Sequence, residues 1–231
     1  IISIDGGSTD SGPYSLGSGT SKYSRAAIKA EWKSLMIARK KANVPLVIGS
    51  CGTCGTNGMV DWMENITIEL AEELNQNIKI AKLYCQQEKN FIKKNLQLRK
   101  IFPLNPAPML NCQLIDEMTN IVALAGAEQI QECINTGAEI ILAGRTTDTA
   151  IISALPLMKG ANPGSSWHGA KVVECGALCS TNPTSGVVMV EFDKTGFTVE
   201  PMSKNAFCTS ETVAAHMLYE NADPYLSLIH I

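Results

Sequence analysis

Pro45-Leu46-Val47-Ile48-Gly49-Ser50-Cys51-Gly52-Thr53-Cys54-Gly55-Thr56-Asn57-Gly58 decides the fold. A short apolar run, rich in β-branched residues, empties without alternation into a polar glycine-rich stretch, which is how a strand buried on both faces ends. Behind it Met59, Met63, Ile66, Leu70 and Leu74 recur at helical spacing, giving a strand, loop and helix in sequence. Glycine falls at every third position from Gly49 to Gly58. That spacing differs from the G-x-G-x-x-G dinucleotide fingerprint, so no NAD site follows, yet it leaves a backbone that a ligand can approach closely.

The same unit recurs on either side. Upstream, Ile1-Ile2-Ser3-Ile4 runs straight into Asp5-Gly6-Gly7, a Ser-, Gly- and Pro-rich loop extends to about Ser21, and Ser24 is placed to cap a helix carrying Ile28, Trp32, Leu35 and Met36. Downstream, a strand from Ile78 to Tyr84 precedes a helix near Asn90 to Lys100, and three prolines between Pro103 and Pro108 mark an irregular connection. A helix from about Asp116 to Asn135 stops at Gly137, and the strand Ala138 to Ala143 opens into Gly144-Arg145-Thr146-Thr147-Asp148 and a helix through Leu155. This alternation predicts an α/β fold with a mostly parallel sheet and helices on both faces. Val187 to Phe192 and Gly196 to Glu200 add a C-terminal antiparallel hairpin, followed by a helix over Thr209 to Tyr219.

Composition narrows the class. The chain has 231 residues, is 45% hydrophobic and 18% charged, and carries a net charge of −3, the profile of a globular protein with a proper core. No Lys/Arg block supplies the footprint that nucleic acid or anionic lipid requires, and no apolar stretch or leader marks a membrane protein. Eight cysteines spread through apolar and helical stretches read as reduced thiols, which places the chain in the cytoplasm. The start inside an apolar strand and the adapter-like ending Leu226-Ser227-Leu228-Ile229-His230-Ile231 lead us to expect one domain over 1–225, truncated at both ends, with 226–231 non-native.

Ligands of parallel sheets bind beyond the carboxyl ends of the strands, so the candidate site residues come from those junctions. Asp5-Gly6-Gly7-Ser8-Thr9-Asp10 has the makings of an oxyanion or phosphate cradle: inward-facing backbone N–H groups, hydroxyl donors and a carboxylate. It equally suits a tight turn with a capping Asp. Gly49, Ser50, Gly52 and Gly144 offer close backbone approach, and Arg145 offers a fork for a small anionic ligand, its loss expected to cost affinity far more than stability. Asp148 and Glu174 join Asp5 as carboxylates able to move a proton, each with a capping role as the plainer reading. Cys51 and Cys54 are spaced C-x-x-C and Cys175 and Cys179 C-x3-C, but no complete zinc spacing exists and no metal is expected.

Taken together, Ile-Ser-Ile-Asp-Gly-Gly-Ser-Thr-Asp-Ser-Gly-Pro-Tyr at 2–14, Pro-Leu-Val-Ile-Gly-Ser at 45–50, Ala-Gly-Arg at 143–145 with Asp148, His168-Gly169, Glu174-Cys175-Gly176-Ala177, Val213-Ala214-Ala215-His216 and Asp223-Pro224-Tyr225 resemble the AtuA-like family of acyclic terpene utilisation. The resemblance spans nearly the whole chain. It implies a place in bacterial catabolism of branched, terpenoid acids, where the intermediates are acyl-CoA thioesters, but carries over no reaction and no catalytic residues.

The expected function is therefore an enzyme, or enzyme subunit, acting on a carboxylate or on a CoA thioester as substrate. Two alternatives stand beside it. One is a nucleotide-dependent phosphotransferase using the Asp5 to Thr9 loop, since Asp-Gly-Gly-Ser-Thr also looks like the phosphate loop of actin-like ATPases; the other is a non-catalytic scaffold that binds a small partner subunit.

Overall fold

Apolar runs that end on a glycine or a small polar residue build the sheet. In the computed structural model of the chain the described residues are 1–7, 12–104, 106–107 and 109–219. The chain divides into two compact units, Ile1–Thr147 and Asp148–Ile231. The candidate residues Ser8, Thr9 and Asp10 and the adapter-like segment 226–231 lie outside the described residues.

The first unit holds strands β1 (Ile2–Asp5), β2 (Leu46–Gly49), β3 (Ile80–Leu83) and β4 (Ile140–Ala143), all parallel, in the order β1-β2-β4-β3. Register is simple: Ile2 faces Leu46, and Ile140 faces both Leu46 and Ile80. Strands β2 and β4, flanked on both sides, are buried at every position, hence their unbroken apolar sequence.

Helices α1 (Tyr14–Ser18) and α2 (Arg25–Ala42) connect β1 to β2, and α3 (Asn57–Glu73) leads from β2 toward β3. Ser24 caps α2 by accepting from Ala27 N. Trp32 and Met36 of α2 and Val60, Met63, Ile66 and Leu70 of α3 pack on Leu46, Ile48, Ile140 and Leu142, residues of one parity and therefore one face. Val47 and Ile141, of the other parity, are fully buried as well. The path from β3 back to β4 runs the opposite way across the sheet, so a right-handed crossover puts its helices on the second face. These are α4 (Lys89–Gln97), α5 (Cys112–Glu117) and α6 (Ala127–Asn135), the last packed on β3 and β4.

Two local expectations change. The single helix over 116–135 is two, because Met118 turns extended and the segment to Gly126 runs as an irregular strand. Its backbone satisfies groups left open beyond the strand ends: Gln87 N donates to Ile121 O (2.8 Å), Ala123 N to Cys85 O (2.8 Å) and Ala125 N to Arg145 O (2.9 Å). Thr119, Ile121 and Val122 are β-branched and suit that extended path. The stretch expected to be all loop before Ser21 contains the short α1.

The second unit contains α7 (Ala150–Met158), α8 (Pro163–Val173), a 3-10 turn at Gly176–Cys179, the antiparallel pair β5 (Val188–Phe192) and β6 (Phe197–Pro201), and α9 (Ser210–His216). Helix α8 has no counterpart in the sequence reading. Asn162 caps it by accepting from Ser165 N, and Pro163 opens it. Val172, Val173 and Cys179 pack against Val188, Val190, Phe197 and Val199 of the hairpin. Gly169 is what lets the hairpin approach: a Cβ there would lie 2.7 Å from the Phe192 ring.

Candidate active site

The loops after β1, β2 and β4 are laced together at the carboxyl edge of the sheet. Gly6 N donates to Gly49 O (2.7 Å), Ser50 N to Gly144 O (2.8 Å) and Cys51 N to Ala143 O (3.0 Å), continuing the ladder past the strands. Over this frame Arg145 Nη1 donates to the carbonyls of Gly7 (3.1 Å) and Thr53 (3.2 Å). One guanidinium nitrogen thus ties three loops. Part of the Arg145 fork is thereby committed to the main chain. Nε and Nη2 have no acceptor among the described residues.

The glycines at this edge serve loop-to-loop packing. A Cβ on Gly7 would lie 2.5 Å from Thr53 Cα, one on Gly55 would strike the Arg145 backbone, and one on Gly144 would lie 2.8 Å from Gly55 O. Between them the 50–56 loop is buried, with Ser50 (φ 51°) and Thr53 (φ 70°) both left-handed. A β-branched residue adopts that conformation only where its surroundings fix it.

Cys51 and Cys54 belong to this buried loop. Burial, and next the neighbouring Cys85, push the Cys51 thiol well above its ordinary value, which keeps it protonated at neutral pH. Among the described residues no group of three or more His, Cys, Asp or Glu side chains is placed to hold a metal ion.

A cavity of about 420 Å³ opens beside the end of β1, within the size range of small-molecule sites. Its walls are Ile4, Ile28, Trp32, Leu35, Ile48 and Met63, with the small Ala27 among them. Asp5, Gly6, Gly7, Tyr23 and Glu31 supply its polar lining. Trp32 is fixed by its indole N–H donating to Thr67 Oγ1 (2.9 Å), and Asp5 Oδ1 accepts from Gly7 N (3.3 Å). The charged side chains among the described lining residues are both acidic.

A family model described as acyclic terpene utilisation family protein AtuA matches residues 17–228. The chain belongs to this AtuA family. No curated protein and no solved structure matches it. The matched span takes in both central strands and their loops, though it begins after the Asp5 to Asp10 junction. The actin-like phosphate loop joins two strands of a hairpin, whereas in this AtuA-family chain β1 pairs in parallel with β2 across a helical connection. No described helix is long and apolar enough to cross a membrane.

Of the other residues read from sequence, Asp148 and Glu174 fall in the second unit and Asp5 and Arg145 in the first. Glu174 ends α8 as a buried ion-pair partner of Lys171. Sequence reasoning missed a second, polar cavity of about 490 Å³ in the AtuA-family fold, beyond β3 at the start of α3 and α4. There Asn57 and Gln86 exchange hydrogen bonds: Asn57 N donates to Gln86 Oε1 and Gln86 N to Asn57 Oδ1, both 3.2 Å. The only signal was the polar run Gln86-Gln87-Glu88 directly after a strand. Ile28, Trp32 and Leu35 were seen, but as a helix face rather than as cavity walls.

Proposed function

We propose that this AtuA-family chain is an enzyme, or one subunit of an enzyme, acting on acyl-CoA thioesters of branched acyclic terpenoid acids, with the isoprenoid chain held in the cavity beside Asp5. The observation that carries this reading is the make-up of that cavity. Six large apolar side chains form its walls, and Asp5, Gly6 and Gly7 line it where β1 ends. Burying a branched hydrocarbon there gains about 25 cal/mol per Å² removed from water. Asp5 and Glu31 oppose a free carboxylate in this cavity, whereas a thioester carbonyl is neutral and meets no such repulsion. The thioester is thus favoured over the free acid. Of the two carboxylates on this cavity, Asp5 stands at the end of β1, and we assign it the task of moving a proton on the acyl group.

Titration calorimetry with geranoyl-CoA, free geranic acid and free CoA tests the proposal. Geranoyl-CoA should bind at least tenfold more tightly than either fragment, Ala27→Trp at the cavity wall should abolish the difference, and Asp5→Asn should bind without turnover. Equal binding of free CoA and geranoyl-CoA, or full binding by Ala27→Trp, would sink it.

A further inference from the structure

Two segments of the second unit run side by side and bring two thiols together. Thr181 N donates to Phe207 O (2.9 Å) and Phe207 N donates back to Thr181 Oγ1 (3.0 Å). Next to this clamp the sulfurs of Cys179 and Cys208, 29 residues apart in sequence, lie 3.9 Å from each other. Their surroundings differ. Cys179 is wholly buried against Val172 and Val173, whereas Cys208 is partly exposed and lines a cavity of about 420 Å³ together with Met202, Lys204 and Phe207.

We infer that Cys179 and Cys208 form a redox-sensitive pair which hydroperoxide-class oxidants convert to a disulfide, with Cys208 oxidised first. Hydrogen peroxide gives one oxygen atom to the Cys208 sulfur, forming a sulfenic acid and releasing one water. The Cys179 sulfur then attacks the sulfenic sulfur, and its proton leaves with the displaced hydroxyl as a second water. Two thiols lose two hydrogens and two electrons, and one peroxide becomes two waters. The order follows from access, because only the cavity-lining sulfur meets an oxidant from solvent.

Closure to the S–S distance of about 2.05 Å asks for side-chain rotation, since the backbone clamp already fixes the two segments as neighbours. Burial, and then the adjoining Cys208, push the Cys179 thiol up, so the pair rests as two thiols and Cys179 gives up its proton only as the sulfenic hydroxyl leaves as water. The bond would enclose the whole β5–β6 hairpin and tie the 3-10 turn ahead of it to the segment entering α9. A cross-link of that kind restricts the unfolded chain and raises stability.

The test is peroxide titration of the intact chain, followed by thiol counting in denaturant and peptide mapping. The accessible-on-unfolding thiols should fall from eight to six, with a peptide linking Cys179 to Cys208 and a higher unfolding midpoint that returns on reduction. Cys175, whose charge also bears on Cys179, is the rival partner. Cys175→Ser should therefore leave the link intact, and Cys208→Ser should prevent it. A count that stays at eight, or a link that joins Cys175 or any first-unit cysteine instead, overturns the inference; differential alkylation of the unsubstituted chain gives the same answer if a variant fails to fold.

Discussion

Arg145 Nη1 lies 3.1 Å from the carbonyl oxygen of Gly7, 138 residues away in sequence. The loop after the central strand is thereby bonded to the loop after the edge strand, and the second acceptor, Thr53 O, brings in the loop between them. Arg145→Ala should lower stability by about 1.5 to 3 kcal/mol, the range for hydrogen bonds made by a charged group. Denaturant unfolding with an unchanged m-value checks this. A variant as stable as the parent would mean that the ladder alone holds the loops.

The glycine repeat contains its own control. Gly55 has φ 64° and no room for a Cβ beside Arg145, while Gly58, in the first turn of α3, has open space around the same position. Gly55→Ala should cost about 3 kcal/mol through strain and overpacking. Gly58→Ala should gain about 0.5 kcal/mol in helix propensity. Paired thermal melts read both signs at once.

Glu174 and Lys171 form an ion pair with side chains only 6% and 13% exposed. Glu174→Gln removes the carboxylate paired with this buried ammonium, so unfolding free energy should fall by about 3 kcal/mol. Replacing both by apolar residues of similar size, Lys171→Met with Glu174→Leu, should recover most of it. If Glu174 instead moves protons in catalysis, Glu174→Gln would lose turnover with its melting point intact.

Asp193 shapes the β5–β6 turn: its Oδ1 accepts from Thr195 N (2.6 Å), Thr195 Oγ1 (2.8 Å) and Gly196 N (2.8 Å). The Thr195 hydroxyl, then the two backbone donors, hold its carboxyl below the ordinary value of 3.8. A depressed folded-state value means that the contribution is present above the unfolded value and is lost as pH falls through the folded one. Carboxyl chemical shifts should therefore report titration below 3.8, and Asp193→Asn should flatten the acid limb of hairpin melting.

The parallel sheet was legible because strands buried on both faces must be continuously apolar, and because glycine at 6, 49 and 144 marks where they stop. The break between α5 and α6 was hidden, since Ile121, Val122 and Leu124 continue an apolar pattern while the backbone of Ile121, Ala123 and Ala125 bonds that of Gln87, Cys85 and Arg145. The acceptors of Arg145 left no trace in sequence because they are main-chain carbonyls, which every residue carries. Ile28, Trp32 and Leu35 stand at a spacing that serves a packed core or a cavity wall equally, so the cavity required coordinates.

The strand order β1-β2-β4-β3 also governs how the molecule can be made. On a ribosome β1 and β2 emerge before the other two strands of this sheet and can pair at once, but β3 emerges with no neighbour to hydrogen-bond, because the strand that separates it from β2 is the last of the four to be synthesised. A nascent chain halted at Asn135 would carry an unpaired β3 and an open edge on β2, both prone to strand addition by other chains. Productive folding of the first unit is therefore gated by translation of a single apolar tetrapeptide, Ile140-Ile141-Leu142-Ala143, whose arrival zips both halves of the sheet together.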